Sequence, residues 1–209
     1  MNQEDIKKSA LIRIVDDDMG VRDSYRFFLE GEGWLTLDYD SAESFLANDN
    51  MRLPGCILLD IRMPGMSGLQ LQNHLLRQKS DLPIIFITAH GTIADAVSTV
   101  KKGACDFLTK PVQDEVLLQT IESAVGSYME KLQQGQAAQN EMALVRQLTD
   151  REREIAMALS EGKLNKTIAF DFGISERTVQ VHRANVMRKL KIHSIAELTT
   201  MLLHVGLKK

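Results

Sequence analysis

A chain of 209 residues with 44% hydrophobic and 25% charged residues carries enough apolar material for one large core or two small ones, which excludes a disordered chain. No run of about 18 apolar residues occurs, which excludes a membrane-spanning helix. The polar stretch Met1 to Ser9 lacks the apolar core of a secretory leader, so cytoplasmic residence is expected. Net charge is −3, yet residues 149–209 hold 11 Lys/Arg against 7 Asp/Glu, and residues 1–148 hold 14 against 21. An acidic front and a basic tail point to two domains with different partners.

In chain order, 1–9 reads as an N-terminal tail. Ala10 to Val15 is a first strand, followed by Asp16, Asp17 and Asp18. Val21 to Glu30 has helical spacing and is stopped by Gly31 and Gly33. Trp34 to Leu37 is a short second strand, and Ser41 caps a short helix carrying Phe45 and Leu46. Cys56-Ile57-Leu58-Leu59 is an apolar run without alternation, as in a strand buried on both faces, and it runs into Asp60 and then Met63-Pro64-Gly65. Ser67-Gly68 opens a helix with Leu69, Leu71, Leu75 and Leu76. Pro83 to Thr88 is a fourth strand. Thr92 and Asp95 form a capping box for a helix through Lys101. Asp106 to Thr109 is a short fifth strand ending in Lys110-Pro111. The two cysteines, Cys56 and Cys105, read as small buried hydrophobes.

From Asp114 a helical pattern (Leu117, Leu118, Ile121, Val125, Tyr128, Met129, Leu132) thins through the Gln-rich stretch 133–139 and resumes at Met142, Val145 and Leu148. It reads as a helix running into a helical or frayed linker. A coiled-coil dimer seam and a tether both fit the spacing, and Gly126 and Gly135 weaken the helix. Beyond it, Thr149 with Glu152 caps a helix that Gly162 stops, and Asn165 caps a second through Phe172. Gly173-Ile174-Ser175 turns into a third helix to about Leu190, and Ser194 with Glu197 caps a last one.

The alternation of strands and helices implies an α/β domain: a doubly wound, five-stranded parallel sheet of flavodoxin-like order 2-1-3-4-5. In that order Asp16, Asp17 and Asp60 converge at strand ends beside the topological switch point, with Thr88 and Lys110 on the neighbouring ends. Converging carboxylates take up a proton or a cation, and hard oxygens with room for water and phosphate suit Mg²⁺. Asp60 is then placed to attack phosphorus, with Lys110 and Thr88 aimed at phosphoryl oxygens. Taken singly, each residue has a bland reading: a helix cap, a strand Thr, a solvated Lys.

Those residues (the pair Asp16 and Asp17, the Asp60 strand with Met63-Pro64-Gly65 and Gly68, Thr88-Ala89, Lys110-Pro111) make 10–125 resemble a two-component receiver domain. The resemblance implies that Asp60 accepts a phosphoryl group from a sensor histidine kinase. It implies that Asp16, Asp17, Asp60 and the backbone carbonyl of Arg62 hold Mg²⁺, and that the bond to Pro111 is cis. It places the switch aromatic at Phe107, a ring without a hydroxyl. It also implies a homodimer on phosphorylation, with Val97 and Lys101 at dimer-contact positions of the FixJ type. His90 is expected to tune access to the site.

In the tail, Val179, Val186 and Leu190 share one face of the third helix, and the opposite face shows Arg177, Gln180, Val181, Arg183, Ala184 and Arg188, a set suited to a major groove. The stretches Leu148 to Glu154, Asn165 to Ala169 and Ile174 to His182 resemble the LuxR/NarL-type DNA-binding domain. That resemblance implies an all-α four-helix, helix-turn-helix domain over 148–209, joined by a helical linker at 126–147. Base-edge positions fall at Gln180, Val181 and Ala184, and phosphate or groove-edge positions at Lys166, Arg177, Thr178 and Arg183. His182 is expected to pack and orient. The whole reads as a phosphorylation-switched transcription regulator acting on double-stranded DNA, with RNA polymerase as a further partner, no membrane partner and no turnover chemistry beyond Asp60. The competing reading is an Mg²⁺-dependent aspartyl-phosphate phosphatase. Such an enzyme places its nucleophile after strand one in an Asp-x-Asp arrangement, whereas here it follows strand three.

Overall fold

The computed structural model describes residues 3–89 and 92–208, which fall into two compact units, Met1–Lys131 and Leu132–Lys209. In the first, strands β1 (Leu11–Val15), β2 (Leu35–Tyr39), β3 (Gly55–Leu59), β4 (Ile84–Thr88) and β5 (Asp106–Thr109) form a parallel sheet of order β2-β1-β3-β4-β5. Every residue of β1, β3 and β4 is buried. The apolar runs of the sequence thus mark strands covered on both faces, while β2 and β5 are edges with partial exposure. One face packs Leu29, Trp34, Leu117, Ile121 and Val125 against Ile12, Ile14 and Leu58. The other packs Phe45, Leu71 and Leu75 against Ile57, Leu59 and Phe86.

The helices are α1 (Gln3–Ser9), α2 (Met19–Gly31), α3 (Ala42–Asn48), α4 (Gly68–Arg77), α5 (Ile93–Lys101) and α6 (Asp114–Val145). Their starts follow the capping residues: Asp18 for α2, Ser41 for α3, and boxes Ser67/Gln70 and Thr92/Asp95 for α4 and α5. Residues Gln3–Ser9 form α1. Ile6 packs on the core, and Lys7 lies 5.5 Å from the Trp34 ring centroid and donates to Glu32 O at 3.1 Å. These anchors are tertiary contacts, which local periodicity does not announce.

One further expectation is corrected. Cys105 is exposed, just before an edge strand, and only Cys56 is buried. Helix α6 is continuous, but Tyr128 and Met129 still pack on the first unit's core, while Leu144 and the buried Val145 belong to the second unit's core.

The second unit holds α7 (Asp150–Ser160), α8 (Asn165–Phe172), α9 (Glu176–Leu190) and α10 (Ile195–His204) around Ile155, Leu159, Ile168, Val179, Val186, Leu190, Leu198 and Leu202. The Thr149/Glu152 box starts α7, and Ser175 and Ser194 cap α9 and α10. Asn165 is not a cap. It is the first helical residue of α8, and Leu164 takes the cap position without a side-chain bond to any described residue. Gly173 ends α8 at φ 64°, the left-handed conformation glycine adopts without strain.

Candidate functional site

Register builds the first site. Val15 pairs with Leu59, so Asp16 and Asp60 leave adjacent strands side by side, with Asp60 N donating to Val15 O at 2.9 Å. Thr88 pairs with Thr109, which brings Lys110 to the same edge, its amide on Thr88 O at 2.9 Å. Lys110 Nζ donates to Asp60 Oδ1 at 3.0 Å and to Asp16 Oδ2. Asp60 Oδ2 accepts from Arg62 N at 2.6 Å, and Asp16 Oδ1 from Asp18 N at 2.9 Å. The two carboxylates are 4% and 7% exposed, so the ammonium neutralises charge that water does not. Burial raises the Asp16 carboxyl above its ordinary value, against the pull of Lys110. Burial pushes Lys110 down, but the bonds to Asp16 and Asp60 prevail and hold it raised.

Gly68 lies beneath this site. A Cβ there would stand 2.1 Å from Asp60 O, so α4 reaches the acid's backbone only because this residue has no side chain. Thr88 is 1% exposed at the end of β4. The Phe107 ring is partly buried on β5, 6.4 Å from that of Phe86. The Lys110–Pro111 bond is cis. Asp17 is exposed beside the buried Asp16, and Asp18 is spent on capping α2. His90 lies outside the described residues. Val97, 48% exposed, and Lys101 present themselves on α5.

Among the described residues no three His, Cys, Asp or Glu side chains gather as a ready cage for a metal. The donors present are hard oxygens: two buried carboxylates sharing one ammonium, with the exposed Asp17 next in sequence to Asp16. This set fits Mg²⁺, which takes one or two carboxylates and completes its shell with water and phosphate oxygens.

Two residues escaped the sequence reading. Arg22 on α2 donates to Asp16 O at 2.8 Å and to Asp38 at 3.2 Å, bracing the strand end; its signal was only an arginine one turn into the helix after the acids. Arg13 lies wholly buried in the middle of β1, with Nε 2.9 Å from both Asp49 oxygens and further bonds to Leu11 O, Asn50 O and Leu53 O. Tyr39 completes it, its hydroxyl on Asp49 Oδ1 at 2.8 Å. This network fixes the segment leading into β3.

In the second unit the turn after α8 is tight, with Ile174 N on Ala169 O at 3.0 Å. Val179, Val186 and Leu190 are buried, which turns the other face of α9 outward: Arg177, Gln180, Val181, Ala184 and Arg188 are exposed, and Arg183 is half-buried. Lys166 is exposed on α8. The Thr178 hydroxyl is engaged with Ser175 Oγ at 2.8 Å, so it braces the start of the helix. His182 is half-buried, and its Nδ1 meets no partner among the described residues. At the other end of α9, Lys189 Nζ binds Glu152 at 2.6 Å and Gln147 O at 3.2 Å, tying the helix to the capping box of α7. The Lys189 bond lowers the Glu152 carboxyl.

Comparison with known proteins covers both units. Residues 12–122 match the response regulator receiver domain, and residues 146–202 match the bacterial regulatory proteins of the luxR family. The chain is 40% identical to the transcriptional regulatory protein FixJ of Azorhizobium caulinodans over 95% of its own length and 94% of the relative's. It is 40% identical to FixJ of Rhizobium meliloti over 93% and 96%. Among solved structures, the response regulator StyR aligns at TM-score 0.86 with 39% identity, covering 93% of this chain and 98% of that one. Full-length FixJ from B. japonicum aligns at 0.58 with 37% identity over 96% and 98%.

Proposed function

The chain belongs to the two-component response regulators that join a receiver domain to a LuxR-family DNA-binding domain, a family of transcription regulators, and from that membership we propose that Asp60 is the phosphoacceptor whose state governs DNA binding by α9. The observation that carries this reading is the single ammonium of Lys110 shared between Asp60 and Asp16 at the ends of three parallel strands.

An Asp60 oxygen attacks the phosphorus of a kinase phosphohistidine. The O–P bond forms as the P–N bond breaks, and the imidazole nitrogen keeps the electron pair and takes up a proton. Asp16, Asp17, Asp60 and the Arg62 carbonyl would hold Mg²⁺, which when bound supplies neutralisation of the phosphoryl oxygens. Lys110 holds one of those oxygens, and the Arg62 amide, already on the carboxylate, another. Thr88 moves toward the phosphoryl group and Phe107 turns inward, repacking the face of α5 and β5. Val97 and Lys101 then meet a second copy of the chain. Hydrolysis at Asp60 resets the switch, and no other turnover is assigned to the protein.

The receiver function belongs to 10–125, extended through the packing of Tyr128 and Met129. DNA reading belongs to 148–209, with Gln180, Val181 and Ala184 at base edges and Lys166, Arg177, Arg183 and Arg188 on phosphates. Thr178 serves at the groove edge through its brace on Ser175. The partners are a sensor histidine kinase, promoter DNA and RNA polymerase, in the cytoplasm.

The test is chemical. Incubated with a small acyl phosphate and Mg²⁺, the intact chain should gain the mass of one phosphoryl group, and Asp60→Asn should gain none. A phosphoryl group taken up equally by Asp60→Asn overturns the assignment.

A further inference from the structure

At the edge of the first unit opposite Asp60, α4, α6 and the segments before β4 and β5 line a half-open cavity of about 260 Å³. The proposed phosphotransfer makes no use of it. The apolar part of its wall includes Leu75, Leu82, Ile84 and Tyr128. Gln72 lines it from α4. That residue is 1% exposed, its Nε2 donates to Thr99 O at 3.0 Å, and its Oε1 accepts no hydrogen bond from any described residue. A buried amide oxygen without a donor is costly. Lys102 and Lys131 stand exposed among the lining residues, against the one carboxylate of Asp81.

We propose that this cavity binds a small aromatic hydroxy acid. Concave sites that take small ligands are largely apolar, with a few polar groups that fix orientation. Here each part of the ligand has a counterpart. The ring lies on the leucines, Ile84 and Tyr128. The hydroxyl donates to Gln72 Oε1 after a small shift of the amide. The carboxylate meets the excess positive charge of Lys102 and Lys131. A neutral phenol leaves the lysines without a partner, and a plain aromatic acid leaves the amide oxygen without one. The occupant would also brace the amide that holds Thr99 on α5, the helix that carries Val97 and Lys101.

Cys105 makes the site measurable. It lines the cavity and is exposed, whereas Cys56 is fully buried, so a thiol reagent applied to the folded, unphosphorylated full-length chain reports on Cys105 alone. With 4-hydroxybenzoate as probe, alkylation of Cys105 should slow saturably. Benzoate and phenol should each need about tenfold more for the same protection. Lys131→Ala, an exposed change that spares the core, should weaken 4-hydroxybenzoate about tenfold and leave phenol unchanged. Gln72→Met should abolish the preference for the hydroxyl. No protection, equal protection by all three probes, or protection indifferent to Lys131→Ala overturns the proposal. The assay needs no phosphoryl group, so its outcome is independent of the role given to Asp60.

Discussion

The charged groups at the two candidate sites sit in opposite surroundings. In the first unit, Asp16, Asp60 and Arg13 are held out of water, each on several fixed partners. In the second, Arg177 and Arg188 stand in solvent on a helix whose opposite face is buried. Buried charge is sensitive to any change in its surroundings, because little solvent compensates it. That suits the proposed response to one added phosphoryl group. Exposed charge is tolerant, and it suits a surface that meets a long polyanion whose affinity comes from many weak contacts. Function in one unit therefore depends on a few exact distances, and in the other on which side chains face outward.

The sharpest way to test that contrast is to remove one arginine from each unit. Arg13→Ala leaves Asp49 buried without its partner and should cost the first unit about 3–5 kcal/mol, read as a loss of hydrogen-exchange protection in β1 to β3 with α7 to α10 unchanged. Arg177→Ala should leave stability within about 0.5 kcal/mol. Equal stability losses would erase the distinction. Next in size is Gln180→Ala, which should cost about 1–3 kcal/mol of discrimination at one base position and nothing in melting temperature; competition between single-base variants of a bound site measures it. A smaller effect belongs to Arg177→Ala in DNA binding. Affinity should fall on all sequences alike, and the slope of log affinity against log salt should flatten by about 1.

Acid separates the units more subtly. Burial raises Asp16 above 3.8, so its ionised form costs stability, and that cost fades as pH falls through the raised value. Lys189 lowers Glu152 below 4.5, so the stability from that pair is present above pH 4.5 and is lost as pH falls through the lowered value. Protection around α7 and the end of α9 should therefore weaken at acid pH, and Glu152→Gln should remove that part of the decline. A decline of the same size in Glu152→Gln would contradict it.

Most of this architecture is legible in the residues. Apolar runs without alternation mark β1, β3 and β4, and Ser, Thr and Asp at the right spacing mark most helix starts. The strand ends then bring Asp16, Asp60 and Lys110 together by topology alone. What the residues conceal is held by tertiary contact. Arg13 reads as an interruption in an apolar strand, and its partner is 36 positions away. The Gln3–Ser9 helix has no stripe of its own and depends on Trp34 and Glu32. Asn165 looks like a cap by type, yet the chain enters α8 one residue earlier. That Tyr128 packs on one core and Val145 on the other is likewise not disclosed by spacing along one long helix.

The measurement closest to the central claim is DNA binding and dimerisation of the full chain with and without beryllofluoride and Mg²⁺, in wild type and in Asp60→Asn. The phosphoryl mimic should drive wild type to a dimer and tighten its DNA binding, and Asp60→Asn should show neither response. DNA binding of equal strength in all four conditions would contradict that claim, because the buried charge site would then exert no control over the exposed one.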